Sequence, residues 1–300
     1  MGIPTSIGTN IIIDNNVSIS RVNRQKYRTD NGIIAESDQL AVEEPLQVSL
    51  YFQDDKFPEE WTMTMRSPGN DEDLIIGMLL TQQIITSVSD VISLDREDDD
   101  VSYADNHWVA TLAGNRPESL SLKQRSLMSH SSCGICGLTS IKALQLCDFI
   151  ELDQSPLWIS PSDILDLPNK LSMHQTLFFE TGAVHSAGYF HNNQLIAIAE
   201  DIGRHNAVDK VVGHINRYDL WRPKGVLVLS GRVSFELMQK AALANIAVVI
   251  AVGAPSRLAV DIARQFDMTL IGFTKKSQFN IYHGAWRLQA QHSQNNEYAL

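Results

Sequence analysis

Residues 226–273 read VLVLSGRVSFELMQKAALANIAVVIAVGAPSRLAVDIARQFDMTLIGF. This stretch contains three short runs rich in Val, Ile and Leu, without alternation of apolar and polar residues, at 226–229, 246–252 and 269–273. Such runs are typical of strands buried on both faces of a sheet. Two stretches with a helical pattern lie between them, at 235–244 and 256–266. The stretch therefore predicts an α/β fold in which helices cover both faces of a largely parallel or mixed sheet.

The same pattern continues towards the N-terminus. A further apolar run at 195–199 is followed by a helical stretch at 206–217. Sheets of this kind bind ligands beyond the carboxyl ends of their strands. Three loops are expected there, at 200–205, 230–232 and 253–256. The sequence contains neither G-x-G-x-x-G nor G-x-x-x-x-G-K-[ST], which excludes a dinucleotide fingerprint and a P-loop.

The N-terminal part shows a different pattern of apolar and polar residues. Alternating segments at 45–51, 61–65 and 107–113 predict strands, and residues 71–85 predict a helix. We expect three units: a flexible arm at 1–40, a small α+β domain at 41–130, and at 131–300 the α/β domain that carries the binding site.

Composition limits the classes of partner. The 24 Lys and Arg residues against 35 Asp and Glu residues give a net charge of −11, which disfavours nucleic acid and anionic membranes. Three cysteines in 300 residues are too few for a disulfide framework and indicate a reducing compartment, so we expect a cytoplasmic protein. No run reaches the roughly 18 apolar residues of a membrane span.

A cysteine motif is the sharpest local feature of the sequence. It reads SSCGICG at 131–137, and Leu138, Ile141, Leu144 and Cys147 follow at the spacing of one helix face. A helix N-terminus stabilises a thiolate and so lowers the pKa of a cysteine placed before it. We therefore expect Cys133 and Cys136 to be reactive and Cys147 to be a buried core thiol.

The residues alone leave four interpretations of this cysteine pair open. A structural zinc site needs four ligands, and no second Cys-x-x-Cys is present to supply them. A thioredoxin-like redox centre normally follows a buried strand, whereas residues 126–132 are polar. A persulfide-bearing nucleophile with a resolving partner and an unreactive loop are the other two. A zinc deaminase is disfavoured because His-x-Glu is absent and Ser132 precedes Cys133 where deaminases have Pro.

A second group of residues indicates an anion site within this acidic protein. Arg204 and His205 lie at a predicted helix N-terminus, where unpaired N–H groups favour anions. Thr181, His185 and Asp201 occur in neighbouring short motifs, and further cations near strand ends are Arg232, Arg257, Lys275 and Lys276. Together they predict a basic pocket that suits a phosphate-bearing ligand.

With these motifs the chain resembles the formate dehydrogenase accessory sulfurtransferases (FdhD) from about residue 42 to residue 287. Seven blocks carry the resemblance in order: Glu43-Glu44-Pro45-Leu46, Met65-Arg66-Ser67-Pro68-Gly69, Ser132-Cys133-Gly134-Ile135-Cys136-Gly137, Thr181-Gly182-x-x-His185-Ser186-Ala187, the run EDIGRHNAVDK at 200–210, Ser230-Gly231-Arg232, and Gly272-Phe273 with Asn280-Ile281-Tyr282.

The resemblance implies a fold and a function. The fold is a cytidine-deaminase-like C-terminal α/β domain, with a mixed sheet flanked by helices and without the deaminase zinc, beside a smaller N-terminal α+β domain. The function is to accept persulfide sulfur from a cysteine desulfurase and to deliver it to the molybdenum (or tungsten) bis-guanine-dinucleotide cofactor that formate dehydrogenase requires. A homodimer is a further expectation. Non-catalytic alternatives are a molybdenum-cofactor chaperone and a zinc-binding Cys-x-x-Cys module.

The resemblance also assigns roles to residues. Cys133 carries the persulfide, Cys136 is its partner, and no metal is bound. The stretch that contacts the guanine-nucleotide-bearing molybdopterin comprises Phe273, Thr274, Lys275, Lys276, Ser277 and Gln278. The expected lining of the cofactor pocket consists of Thr181, His185, Asp201, Arg204, His205 and Arg232.

Overall fold

The structure is a computed structural model that describes residues 18–97, 106–116, 120 and 152–289. In chain order its strands are β1 (Ile19–Arg28), β2 (Gly32–Ala41), β3 (Glu44–Phe52), β4 (Glu59–Arg66), β5 (Val91–Arg96), β6 (His107–Leu112), β7 (His185–His191), β8 (Gln194–Asp201), β9 (Val226–Leu229), β10 (Val248–Ala251), β11 (Thr269–Gly272) and β12 (Asn280–His283). Its helices are α1 (Asp71–Thr81), α2 (Pro161–Ser172), α3 (Thr176–Thr181), α4 (Arg204–Arg217), α5 (Phe235–Leu243) and α6 (Arg257–Gln265).

A mixed six-stranded sheet forms the C-terminal part, in the order β12-β11-β10-β9-β7-β8. Strands β9, β10 and β11 are parallel, whereas β7, β8 and β12 pair in the antiparallel sense. The predicted α/β class with a mixed sheet is therefore confirmed, and strand β9 has the predicted limits.

Both faces of this sheet are covered, as the apolar runs predicted. Leu227 and Leu229 of β9 pack in one cluster with residues of α4, α5 and α6. Val226 and Val228 of the same strand pack in another cluster with residues of α2. Every residue of β9, β10 and β11 is buried, which explains why these strands contain no charged residue and only one polar one, Thr269 at the start of β11.

The N-terminal part contains a four-stranded sheet in the order β4-β3-β6-β5, with β3 and β6 parallel. Its buried face packs against the apolar residues of α1, as the predicted α+β unit requires. Helix α1 ends at Thr81, four residues earlier than predicted, because Gln83 takes a left-handed φ of 56° and the amide of Ile84 turns back to the carbonyl of Leu79 at 2.9 Å.

Two glycines allow α1 and α4 to pack backbone against backbone. A Cβ atom on Gly77 would lie 1.8 Å from the carbonyl oxygen of Asp209, and one on Gly213 would lie 1.8 Å from that of Asp73. Around this crossing His214 Nδ1 lies 2.9 Å from Asp73 Oδ2 and Arg217 donates to Asp73 at 2.5 Å. The crossing joins the four-stranded sheet to the six-stranded sheet.

Strands β1 and β2 form a hairpin that the sequence analysis did not predict, since it assigned residues 1–40 to a flexible arm. Most of its side chains are exposed or half-buried. One face carries cross-strand ion pairs, in which Arg24 contacts Glu36 at 2.6 Å and also contacts Asp38. Residues 1–17 lie outside the described part of the chain, and the predicted domain limits stay predictions.

Further elements also escaped the sequence analysis, among them α2, α3, β7 and β12. Helix α2 begins after Ser160, whose hydroxyl accepts the amide of Asp163 at 3.0 Å, and it contains Pro168. Strand β7 contains a glycine that faces Leu171 and Phe190. Within the described ranges, no helix has the length and apolar character needed to cross a membrane.

Candidate functional site

The loops predicted to form the site meet at one edge of the six-stranded sheet. Loops 230–232 and 253–256 follow the carboxyl ends of β9 and β10, and the turn 273–278 follows that of β11. The antiparallel pairing of β7 brings its own start and the loop 200–205 at the end of β8 to the same edge. The loop backbones are directly hydrogen-bonded: Gly253 donates to the carbonyl of Gly231 at 3.0 Å, and Phe273 donates to that of Gly253 at 3.0 Å. A side chain at Gly253 would collide with Gly231, because its Cβ would lie 2.7 Å from that carbonyl oxygen.

His185 lies at the centre of the predicted cationic group. Its ring is close to Gly231, where a Cβ would come within 3.2 Å of Nδ1. Burial lowers the pKa of His185 below its ordinary value of 6.5, and the positive charges of Arg204, Arg232 and His205 lower it further, against the opposing effect of Asp201. These groups are therefore close enough for their charges to interact with His185. Burial and these positive charges together disfavour protonation of His185.

His205 is held by acceptors on the first turn of α5. Its Nε2 lies 3.2 Å from both Ser234 Oγ and Glu236 Oε2, and the Ser234 hydroxyl donates to Glu236 at 2.6 Å. Although burial opposes the effect, hydrogen bonds from His205 and Ser234 leave the pKa of Glu236 below its ordinary value. These contacts thus fix the orientation of the His205 ring.

Two polar atoms at this edge are buried without a hydrogen-bond partner among the described residues, namely Arg204 Nε and Thr274 Oγ1. Arg204 is the first residue of the 14-residue helix α4, whose N-terminal N–H groups face the same loops. Buried polar atoms are normally satisfied. An anionic ligand or an ordered water molecule at this edge would supply the missing acceptor for Arg204.

Asp201 was predicted to line the pocket, but its side chain is fully buried. Oδ2 contacts Lys210 Nζ at 2.8 Å and accepts the amide of Ser67 at 3.1 Å, while Oδ1 accepts the amide of Gly203 at 2.8 Å. Neither oxygen faces solvent. We therefore correct its assignment from a lining residue to a buried support of the loop.

Thr181 lies at the end of α3, where its hydroxyl donates to the carbonyl of Leu177 at 2.7 Å. Arg257 is mostly exposed and pairs with Asp261 on its own helix, 3.0 Å away. These local contacts satisfy both side chains, and the structure shows no contact that joins either one to His185.

The predicted stretch 273–278 forms the turn between β11 and β12. Phe273 is half exposed with a left-handed φ of 52°, and the amide of Lys275 donates to the carbonyl of Gln278 at 2.9 Å. The exposed residues of the turn are Lys275, Lys276, Ser277 and Gln278. The turn stands next to the β10 loop, and its predicted contact with the cofactor stays a prediction.

Cys133, Cys136 and Cys147 lie outside the described residues, so their predicted roles stay predictions. Among the described residues, no group of three His, Cys, Asp or Glu side chains has the arrangement of a metal site.

Sequence reasoning missed several residues that support the site. Ser67 and Lys210 hold Asp201, Ser230 Oγ accepts the amide of Ser186 at 2.9 Å, and Glu236 contacts His205. Lys210 and Asp201 belong to the same block, EDIGRHNAVDK, so the sequence alone could have indicated that they lie close together. Ser67 comes from a separate part of the chain, and only the fold shows that it contacts Asp201.

Comparisons with known proteins agree with this architecture. The family model described as FdhD/NarQ family matches residues 41–289. A sulfur carrier protein FdhD from Nocardia farcinica is 38% identical over 265 residues, covering 87% of this chain and 92% of the relative. Proteins of the same name from Corynebacterium efficiens and Picrophilus torridus are 41% and 36% identical, each over 82% of this chain and 90% of their own length.

A solved structure shows the same fold. It is a crystal structure from Desulfotalea psychrophila described as that of a formate dehydrogenase accessory protein, with a TM-score of 0.68 and 19% identity over 90% of this chain and 99% of that one. The family match spans both sheets and every loop of the carboxyl edge. This chain therefore belongs to the FdhD/NarQ family.

Proposed function

We propose that this protein is a sulfur carrier that accepts persulfide sulfur from a cysteine desulfurase on Cys133 and transfers it to the molybdenum bis-guanine-dinucleotide cofactor of formate dehydrogenase. Relatives named sulfur carrier protein FdhD, similar over most of the chain, support the sulfur chemistry. The structural observation that carries the proposal is the group formed by His185, Arg204 and Arg232 at the carboxyl edge, where Arg204 Nε is buried without a hydrogen-bond partner among the described residues.

Sulfur would enter by thiol exchange. The Cys133 thiolate attacks the outer sulfur of the desulfurase persulfide, the sulfur–sulfur bond of the donor breaks, and the donor cysteine leaves as a thiolate. Cys133 then carries a persulfide. Attack by the Cys136 thiolate on the inner sulfur would release hydrosulfide and leave a Cys133–Cys136 disulfide, so the two thiols supply the two electrons that reduce the transferred sulfur.

The cofactor is the substrate of this reaction, and its guanine dinucleotide ends carry pyrophosphates. Arg204 and Arg232 would contact these phosphates, together with the N–H groups at the start of α4. The turn 273–278 contributes Lys275 and Lys276 beside them. The acidic chain as a whole repels polyanions, so this local positive potential selects a small anion that fits between the loops.

The sulfur step is tested by intact mass spectrometry after incubation with a cysteine desulfurase and cysteine. The wild type should gain about 32 Da, one sulfur atom, and Cys133→Ala should gain none. Cys147→Ala is the matched control and should gain the same mass as the wild type. A chain that binds the cofactor but never gains sulfur would be a cofactor chaperone. Stoichiometric zinc in the purified protein would instead support the metal-binding module.

The phosphate site is tested with GDP, which reproduces the nucleotide end of the cofactor. Bound phosphates should raise the pKa of His185, measured by NMR titration, because negative charge offsets the surrounding cations. Arg232→Ala should weaken GDP binding about tenfold. Arg264→Ala, which removes an exposed arginine at the end of α6, should leave binding unchanged. No effect of GDP on His185 would reject this location of the phosphate site.

A further inference from the structure

We infer that Ser67, Asp201 and Lys210 form an anchor cluster that positions the loop carrying Arg204 and His205 at the anion site. The inference rests on the proposed function, because the loop that these three residues hold carries Arg204, which is proposed to contact the phosphates of the cofactor. None of the three is assigned a contact with the ligand. They are positioning residues, and they connect the anion site to the N-terminal sheet.

The anchor cluster is a closed set of hydrogen bonds between two distant segments. Lys210 Nζ lies 2.8 Å from Asp201 Oδ2 and donates to the carbonyl of Ser67 at 2.8 Å. The Ser67 amide donates to Asp201 Oδ2 at 3.1 Å, and its hydroxyl accepts the amide of Ile202 at 3.1 Å. The turn after β4 is therefore bonded to Asp201, the last residue of β8, and to Ile202, which follows it.

Asn206 strengthens the same junction from the first turn of α4. Its amide nitrogen donates to the carbonyl of Met65 at 2.8 Å and to Asp201 Oδ1 at 3.2 Å, and its oxygen accepts the hydroxyl of Thr64 at 3.3 Å. The loop 201–206 is thus held at several points by residues 64–67. Arg204 and His205 lie between these points, so the anchor cluster fixes the backbone from which they project.

The burial of the cluster supports a positioning role. Asp201 is fully buried, and Lys210 and Ser67 are 2% and 1% exposed. An ammonium group in this environment is directed to fixed acceptors and has no access to a solvent-borne ligand. Paired charges in a low-dielectric interior hold a defined geometry, since any displacement leaves one of them unpaired.

Helix α4 also provides a matched control for this inference. Its Asp209 forms a second buried ion pair with Lys240, with distances of 2.8 Å from Nζ to both carboxylate oxygens. Thr81 of α1 donates to Asp209 Oδ1 at 2.7 Å. This pair also joins the N-terminal part to α4, but its bonds go to α1 and α5 and not to the loop 201–206.

The experiment compares Lys210→Met with Lys240→Met. We expect Lys210→Met to weaken GDP binding at least about tenfold, because displacement of the cationic loop misplaces the phosphate contacts. Lys240→Met removes the lysine of the second ion pair on α4, whose side chain is 13% exposed, and should change GDP binding by less than about twofold. Ser67→Ala removes only the acceptor for Ile202, so it keeps the fold and should produce a smaller weakening in the same direction.

The NMR pKa of His185 in the ligand-free protein separates positioning from general destabilisation. Burial is the largest cause of its lowered pKa and the charge of Arg204 is the next, so release of the loop should raise that pKa in Lys210→Met and in Ser67→Ala. In Lys240→Met the pKa of His185 should stay at its wild-type value.

The outcomes are distinct. Equal effects of Lys210→Met and Lys240→Met on both measurements, or no effect of Lys210→Met, would overturn the anchor cluster. If Lys210→Met does not fold, Ser67→Ala decides by the same criteria. If the wild type does not bind GDP, the phosphate site of the proposed function is rejected, whereas the ligand-free pKa of His185 still confirms or overturns the positioning of the loop.

Discussion

The six-stranded sheet and the β1–β2 hairpin are stabilised in opposite ways. Strands β9, β10 and β11 have only four residues each, but all of them are buried. The hairpin strands have ten residues each, and nearly all of their side chains contact solvent. Strand length is therefore no measure of stability here. Burial on two faces stabilises the short strands, while the long ones depend on backbone pairing and surface charge.

The largest expected difference between these regions comes from removing apolar volume. Leu227 of β9 is fully buried, and Leu227→Ala should reduce the free energy of unfolding by about 2–5 kcal/mol through lost burial and a residual cavity. Ile33 of the hairpin is 69% exposed, and Ile33→Ala should cost less than about 0.5 kcal/mol. Urea unfolding of the two variants measures both values. Similar losses would show that the hairpin is part of the main cooperative unit.

A pH effect should distinguish the carboxyl edge of the sheet from the hairpin. The native pKa of His185 lies below its ordinary value of 6.5, so in the window below pH 6.5 the unfolded chain binds more protons than the folded one at this residue. The wild type should therefore lose stability relative to His185→Gln as the pH falls below 6.5. Above about pH 7 the difference should be constant. Thermal unfolding of both proteins between pH 5 and pH 8 measures this difference. If the stability of the two proteins changes with pH in the same way, the predicted effect of His185 is contradicted.

The smallest effect is expected for the ion pairs of the hairpin. Arg24 and Glu36 are exposed, so water and salt screen their interaction. Arg24→Ala should leave global unfolding unchanged and should accelerate amide hydrogen exchange only in β1 and β2. Added salt should produce the same local acceleration in the wild type. Faster exchange in β9 or β10 would show that the hairpin supports the sheet.

This contrast explains how much of the fold could be predicted from sequence. Runs such as 226–229 are visible because burial on both faces excludes polar residues from them. The hairpin is hard to recognise because its apolar residues are scattered, and its ion pairs become evident only when the register places Arg24 opposite Glu36. Strand β7 was missed for a related reason, since its small and polar residues meet their partners only in the folded sheet.

The residues of the candidate site also divide into those that the sequence allowed us to place and those that only the fold could place. Their places at the ends of strands and the start of a helix bring Arg204, His185 and Arg232 to one edge, whereas their contact with a ligand stays a prediction. Asp201 was assigned wrongly, because a sequence motif does not reveal whether a carboxylate faces a ligand or a buried lysine. Its partner Ser67 lies 134 residues earlier in the chain, and no local pattern connects the two.

The close crossing of α1 and α4 limits how this protein can respond to a partner. Since Gly77 and Gly213 bring the two helices into backbone contact, even one added methyl group at either position would force the helices apart. The crossing thus opposes sliding or tilting of one sheet against the other. If the proposed site at the carboxyl edge binds the cofactor, the adjustment is expected in loops such as 273–278 and not in the crossing of the two helices.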